Sequence, residues 1–170
     1  MNRQSQADQG EIQLERMGGE VRIRWPEELP DHPHVVLGGD VPLTNLCAGI
    51  LARKLRSCPA EAVAFLDVEL AALAHALASF LGMDYAAMLP PGEKSMTDTS
   101  ARPHSGLDGK DLILLHGLVQ DEKTVTAAQA LPSGGAHVVA HASLLASPIL
   151  ARELDIAYVK PMPEGLEVNR

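Results

Sequence analysis

The residues best suited to chemistry lie just after the apolar run Asp111–Leu115, where His116 and Gly117 lead to Gln120, Asp121, Glu122, Lys123 and Thr124. An imidazole beside carboxylates can move protons. A hydroxyl and backbone N–H groups opening a helix can hold an anion. A second candidate is Asp67 with Glu69, at the end of the apolar run 62–66. These acids could form a site or simply open the next helix, where the dipole favours them.

Other candidates are weaker. His137 and His141 are four apart on an expected strand, hence on one face. Zinc needs a third and fourth ligand that no spacing here supplies, so they read as structural, like His32, His34 and His75. No metal site is expected. The stretch 106–110 is too short for a phosphate-binding glycine loop, and Asp111 stands where that motif needs a hydroxyl. Ser143 and Ser147 lack a nucleophile signature.

The elements that must position these groups follow from the pattern. Residues 1–10 form a polar tail. Residues 11–25 alternate apolar and polar around Gly18-Gly19, which predicts a hairpin. Three prolines in 26–34 make a connector. Apolar runs then predict strands at 35–37, 62–66, 85–88, 111–115 and 137–143, with a further one at 156–159. Between them lie helices at 42–56, opened by Asp40, at 68–81, stopped by Gly82, at 122–131, and a short one before Leu154. Such alternation predicts an α/β fold, a parallel sheet flanked by helices. Residues 89–109 read as one long loop. Ligands in such sheets sit at the carboxyl ends of strands, which favours His116–Thr124, 89–109 and Asp67–Glu69.

Composition narrows the functions. The 170 residues are 46% hydrophobic and 21% charged, enough for a core and about one domain spanning 11–170. The net charge of −8, with 14 Lys and Arg, and only five aromatic residues argue against nucleic acid as a partner. Two cysteines, no leader-like segment and no long apolar run predict a cytoplasmic protein with no membrane contact.

Three segments, in order and spacing, resemble the type I phosphoribosyltransferases of the adenine/xanthine branch. They are AVAFLDVELAALAHALASFLG (62–82), YAAMLPPGEK (85–94) and LILLHGLVQDEKTVTAAQAL (112–131), the last followed by GGAHVVAHASLL. The resemblance spans about 35–160. It implies a Rossmann-like, five-stranded parallel sheet, with residues 11–34 as a small hood and 89–109 as a mobile loop. It also implies purine salvage, a homodimer, and Mg²⁺ wherever phosphoribosyl pyrophosphate (PRPP) binds.

The chain departs from the family's motif at several points. His116-Gly117 stands in place of the acidic pair that contacts the ribose hydroxyls. Asp121-Glu122-Lys123-Thr124 replaces the Thr-Gly-x-Thr phosphate cradle. Leu89-Pro90 replaces Arg-Lys, and Glu69-Leu70 replaces Arg-Gly. Carboxylates repel a phosphate, by about 4 kcal/mol per contact at 4 Å and surface dielectric. The expectation is a phosphoribosyltransferase-related protein without ordinary PRPP transfer, binding a nucleotide or other small molecule or acting in regulation. Two alternatives stay open: an active purine phosphoribosyltransferase with an atypical site, and a different enzyme using His116 with Asp121 or Glu122.

Overall fold

A computed structural model describes residues 10–88, 106–132 and 134–163. The tail expected at 1–10 therefore lies outside the described residues apart from Gly10, and the loop expected at 89–109 lies outside them apart from 106–109.

The chain opens with β1 (Glu11–Met17) and β2 (Glu20–Arg24), paired antiparallel about Gly18-Gly19. Gly18 has φ of 63°, the left-handed backbone that such a turn requires. The short strand β3 (His34–Val36) adds to the other side of β1, pairing Ile12 with Val35 in parallel. The pattern predicts residues 35–37 as a strand of the large parallel sheet; they belong to the hood sheet instead. The segment takes the edge of β1 that β2 leaves free. Val35 buries itself against the hairpin instead.

The large sheet contains β4 (Ala62–Phe65), β5 (Asp84–Ala87), β6 (Asp111–Val119), β7 (His137–Ala146) and β8 (Ile156–Pro161). Its order is β5-β4-β6-β7-β8, every pair parallel. The fifth strand is thus β8. Helix α1 (Val41–Leu55) fastens to it, with Lys54 Nζ donating to the Tyr158 carbonyl at 2.6 Å and lying over the Tyr158 ring.

Local chemistry sets the helix ends. Asp40 caps α1 by accepting from the Leu43 N–H at 2.9 Å. A 3₁₀ turn, Val68–Leu70, leads into α2 (Ala71–Leu81), which ends at Gly82 with φ of 69°. The helices α3 (Glu122–Gln129) and α4 (Pro148–Glu153) follow β6 and β7. Among the described residues no helix is long and apolar enough to cross a membrane.

Both faces of the sheet's centre are covered, which is why β4 and β6 read as unbroken apolar runs. Ile113 and Leu115 of β6 join α1, α2 and the hood residues Ile12, Leu14, Val21 and Val35 in one core. Leu112 and Leu114 point the other way, to Ala128 of α3 with Leu107 and Met88. In the first core the Cys47 thiol is pushed up to about 12 by burial, which makes it an inert packing group.

The β6/β7 register slips by one residue at Val139. Leu112 pairs with Val138 and Ile113 with Ala140. The bulge reverses the alternation. His137 stands opposite Asp111 and His141 opposite Leu114, so the two histidines lie on opposite faces and not on one face as spacing predicts.

Candidate functional site

Strand β6 does not stop at Leu115. It pairs onward with β7, His116 with Ser143, Leu118 with Leu145 and Val119 with Ala146. The extension is stabilised by burial, because Val119 and Ala146 pack with Val125 of α3, Ala151 and Ile156. His116 is therefore an interior strand residue, not the strand end facing a ligand that the sequence suggests. The turn into α3 begins at Gln120.

His116 is 7% exposed and His141 5%. His116 Nε2 lies 3.0 Å from His141 Nδ1, with the rings stacked at 5.2 Å. One ring N–H donates to the lone pair of the other, which suits two neutral imidazoles. Burial, with the His141 ring beside it, lowers the His116 pKa from 6.5 to about 4. Burial also lowers that of His141. Beside them Ser143 is fully buried, and its hydroxyl donates to the Leu145 carbonyl at 2.6 Å. His116 is thus held in a buried polar pair.

Gly117 faces the hood. A Cβ built there would meet the Val35 Cβ at 3.8 Å. Gln120 is half-buried at the strand end. Asp121 caps α3: its Oδ1 accepts from the Thr124 N–H at 2.7 Å and from the Thr124 hydroxyl at 3.0 Å. Glu122 adds a second carboxylate to the first turn of the helix, and Asp121 through Thr124 are all exposed. The N–H that could meet an anion already has the chain's own carboxylate. Replacing Asp121 with Ala is expected to lower stability by about 1 kcal/mol, the usual worth of such a cap. Urea unfolding of the two proteins checks this.

Asp67 makes the same kind of bond in the 3₁₀ turn, its Oδ1 accepting from the Glu69 N–H at 3.0 Å. Glu69 is different. It points to a cleft of about 470 Å³ between the hood and the start of α2. Glu11 and Gln13 of β1, Thr44 of α1, and the Val36–Gly39 turn form the other walls. None of residues 116–124 lines this cleft. The structure thus brings Glu69 together with Glu11, Gln13 and Thr44, and it separates them from the 116–124 segment. Sequence reading missed Glu11 and Gln13, although alternation with the buried Ile12 marked them as the other face of β1. Among the described residues no group of three or more His, Cys, Asp or Glu is arranged to hold a metal ion.

This architecture is the type I phosphoribosyltransferase fold, a five-stranded parallel sheet beneath a small hood sheet. The adenine phosphoribosyltransferase of Rhodothermus marinus superimposes with a TM-score of 0.56 at 16% identity, over 75% of this chain and 83% of that one. That of Thermoanaerobacter pseudethanolicus gives 0.54 at 20% identity, over 72% and 82%. The Trypanosoma brucei enzyme, in complex with AMP, pyrophosphate and ribose-5-phosphate, gives 0.54 at 12% identity, over 94% and 93%. No protein-family model and no curated protein sequence matches the chain. At these identities the likeness is one of fold.

Proposed function

We propose that this chain is a phosphoribosyltransferase-fold protein that does not carry out ordinary PRPP transfer. It binds a nucleotide or other small molecule and serves a binding or regulatory role, as a cytoplasmic homodimer. The observation that carries this reading is the Asp121 cap. Its carboxylate takes the Thr124 N–H and hydroxyl that a phosphate cradle would present, with Glu122 next to it. Both acids are exposed and screened, so each phosphate contact is opposed by about 1 kcal/mol in bulk water and about 4 kcal/mol at surface dielectric.

The position of the acidic pair supports the same reading. His116 is committed to His141, and Gly117 lies under Val35. Neither supplies the carboxylate that would contact ribose hydroxyls and favour a cationic transition state. Loss of one such electrostatic group commonly costs about 10²–10³ in rate. Mg²⁺ would enter only with PRPP, and no acidic pair stands at His116-Gly117 to meet it.

Calorimetry with PRPP and Mg²⁺ is expected to show no binding at micromolar levels. Adenine, guanine, xanthine, hypoxanthine and orotate should give no nucleotide. The double change Asp121→Thr with Glu122→Gly is expected to raise phosphate affinity by about tenfold or more, the equivalent of about 1.4 kcal/mol. Robust nucleotide formation by the unmodified protein would overturn the reading and establish an active purine phosphoribosyltransferase with an atypical site.

A further inference from the structure

The two helices that cover the hood side of the sheet leave a groove of about 440 Å³ on their outer surface. Leu46 of α1 lines it together with Leu81 and Met83 from the end of α2. Phe80 stands in it 58% exposed. In α2, Phe80 follows Ala76 by four residues and Leu73 by seven, and both of those are buried. It therefore continues the apolar stripe past the point where α1 covers it.

The rim carries Arg53 and Arg56, both exposed. Neither forms an ion pair with any described residue, and no carboxylate lines the groove. Arg53 sits in the last turn of α1, where a cation suits the helix dipole. That accounts for Arg53. It accounts neither for Arg56 on the same rim nor for an uncovered phenylalanine in the same groove. An apolar, basic groove also runs against the net charge of −8 on the whole chain.

We propose that this groove docks a short segment of another protein, one with apolar anchor side chains flanked by Asp or Glu. Phe and Arg are residue types enriched at interfaces, and an unpaired guanidinium on an apolar rim is complementary to a carboxylate. The volume holds a few anchor side chains, not the face of a folded domain. A second copy of the chain is disfavoured, because a two-fold contact centred on this groove would present the same lining, which holds no carboxylate to meet the arginines. The groove and the hood cleft share no lining residue, so the proposal stands whether or not PRPP binds.

The test is selection of random peptides displayed on phage against the full chain, followed by fluorescence anisotropy of the enriched peptides. The enriched sequences should combine apolar anchors with Asp or Glu, and their binding should weaken as salt rises. Phe80→Ser and the double change Arg53→Glu with Arg56→Glu should each weaken binding by about tenfold or more, as loss of an anchor does. Arg22→Glu, on the exposed face of the hood, should leave binding unchanged. All four positions are exposed, and circular dichroism confirms that the variants fold. Failure to enrich any sequence, enrichment of peptides without acids, or binding indifferent to the groove variants would overturn the proposal. Conversion of a dimer to monomer by Phe80→Ser, read by sedimentation, would also overturn it and make the occupant a second copy.

Discussion

Acidification from neutral pH to about pH 4 should destabilise this protein by about 3 kcal/mol through His116 alone, the equivalent of moving an imidazole pKa from 6.5 to about 4. The cause is burial. The folded state holds His116 and His141 as neutral rings, bonded to each other at 3.0 Å inside the sheet. In the unfolded chain each imidazole takes a proton near 6.5. Between about pH 6.5 and pH 4 the unfolded state therefore binds more protons than the folded one. Stability rises with pH across that window and falls as the pH is lowered through it. His141 acts in the same direction, because burial lowers its pKa too.

Urea unfolding at a series of pH values reads this directly. The double variant His116→Leu with His141→Leu is the control. Replacing both partners of a buried hydrogen bond by apolar groups of similar size is close to neutral near pH 7, and it removes the titration. Its profile should be flatter than that of the wild type. Parallel profiles for the two proteins would show that the pair does not hold its protons off in the folded state. Replacing His116 alone should be worse than replacing both, because it leaves His141 Nδ1 buried without its partner.

Ile12→Ala should cost about 2–5 kcal/mol, the usual range for truncating a fully buried aliphatic side chain. Ile12 belongs to the hood, yet it is completely buried in the core that contains Leu43, Leu51 and Ile113. The cavity would therefore open at the junction between hood and sheet. We expect one cooperative unfolding transition in both proteins, with the midpoint shifted and the denaturant slope retained, as residues 11–170 acting as a single domain requires. A separate early transition in the variant would show that the hood unfolds by itself. The cleft depends on the same junction, because Glu11 and Gln13 flank Ile12 along β1.

Much of this fold was legible in the residues because its causes are local. Gly18-Gly19 between alternating runs demands a tight turn, and the hairpin is there. Asp40, expected to open α1, stands three residues before the N–H it caps, and Asp121 does the same for α3 although its place in the motif marks it first as a site residue. Gly82 ends α2 in the left-handed conformation that other residues rarely adopt. The unbroken apolar runs at 62–66 and 111–115 needed cover on both faces, and they have it. Asp67 was readable both as a site residue and as a helix-opening acid, and its bond to Glu69 matches the second.

The candidate site was less legible because its causes are distant in the chain. Whether residues 34–36 join the large sheet or the hood depends on which strand edge is free, and that edge belongs to β1. The length of β6 depends on β7 running beside it as far as Ala146. The bulge at Val139 turns His141 to the face of His116 and His137 to the other, and no spacing within β7 reveals it. The sequence by itself determined the helix caps, the turns, the two-sided burial of the strands and the carboxylates at the start of α3, since each arises among residues a few positions apart. Tertiary structure alone decided that His116 meets His141, 25 residues later, and that Glu69 and Glu11 line one cleft. Such pairings are set by strand register and packing, and these exist only after distant segments have come together.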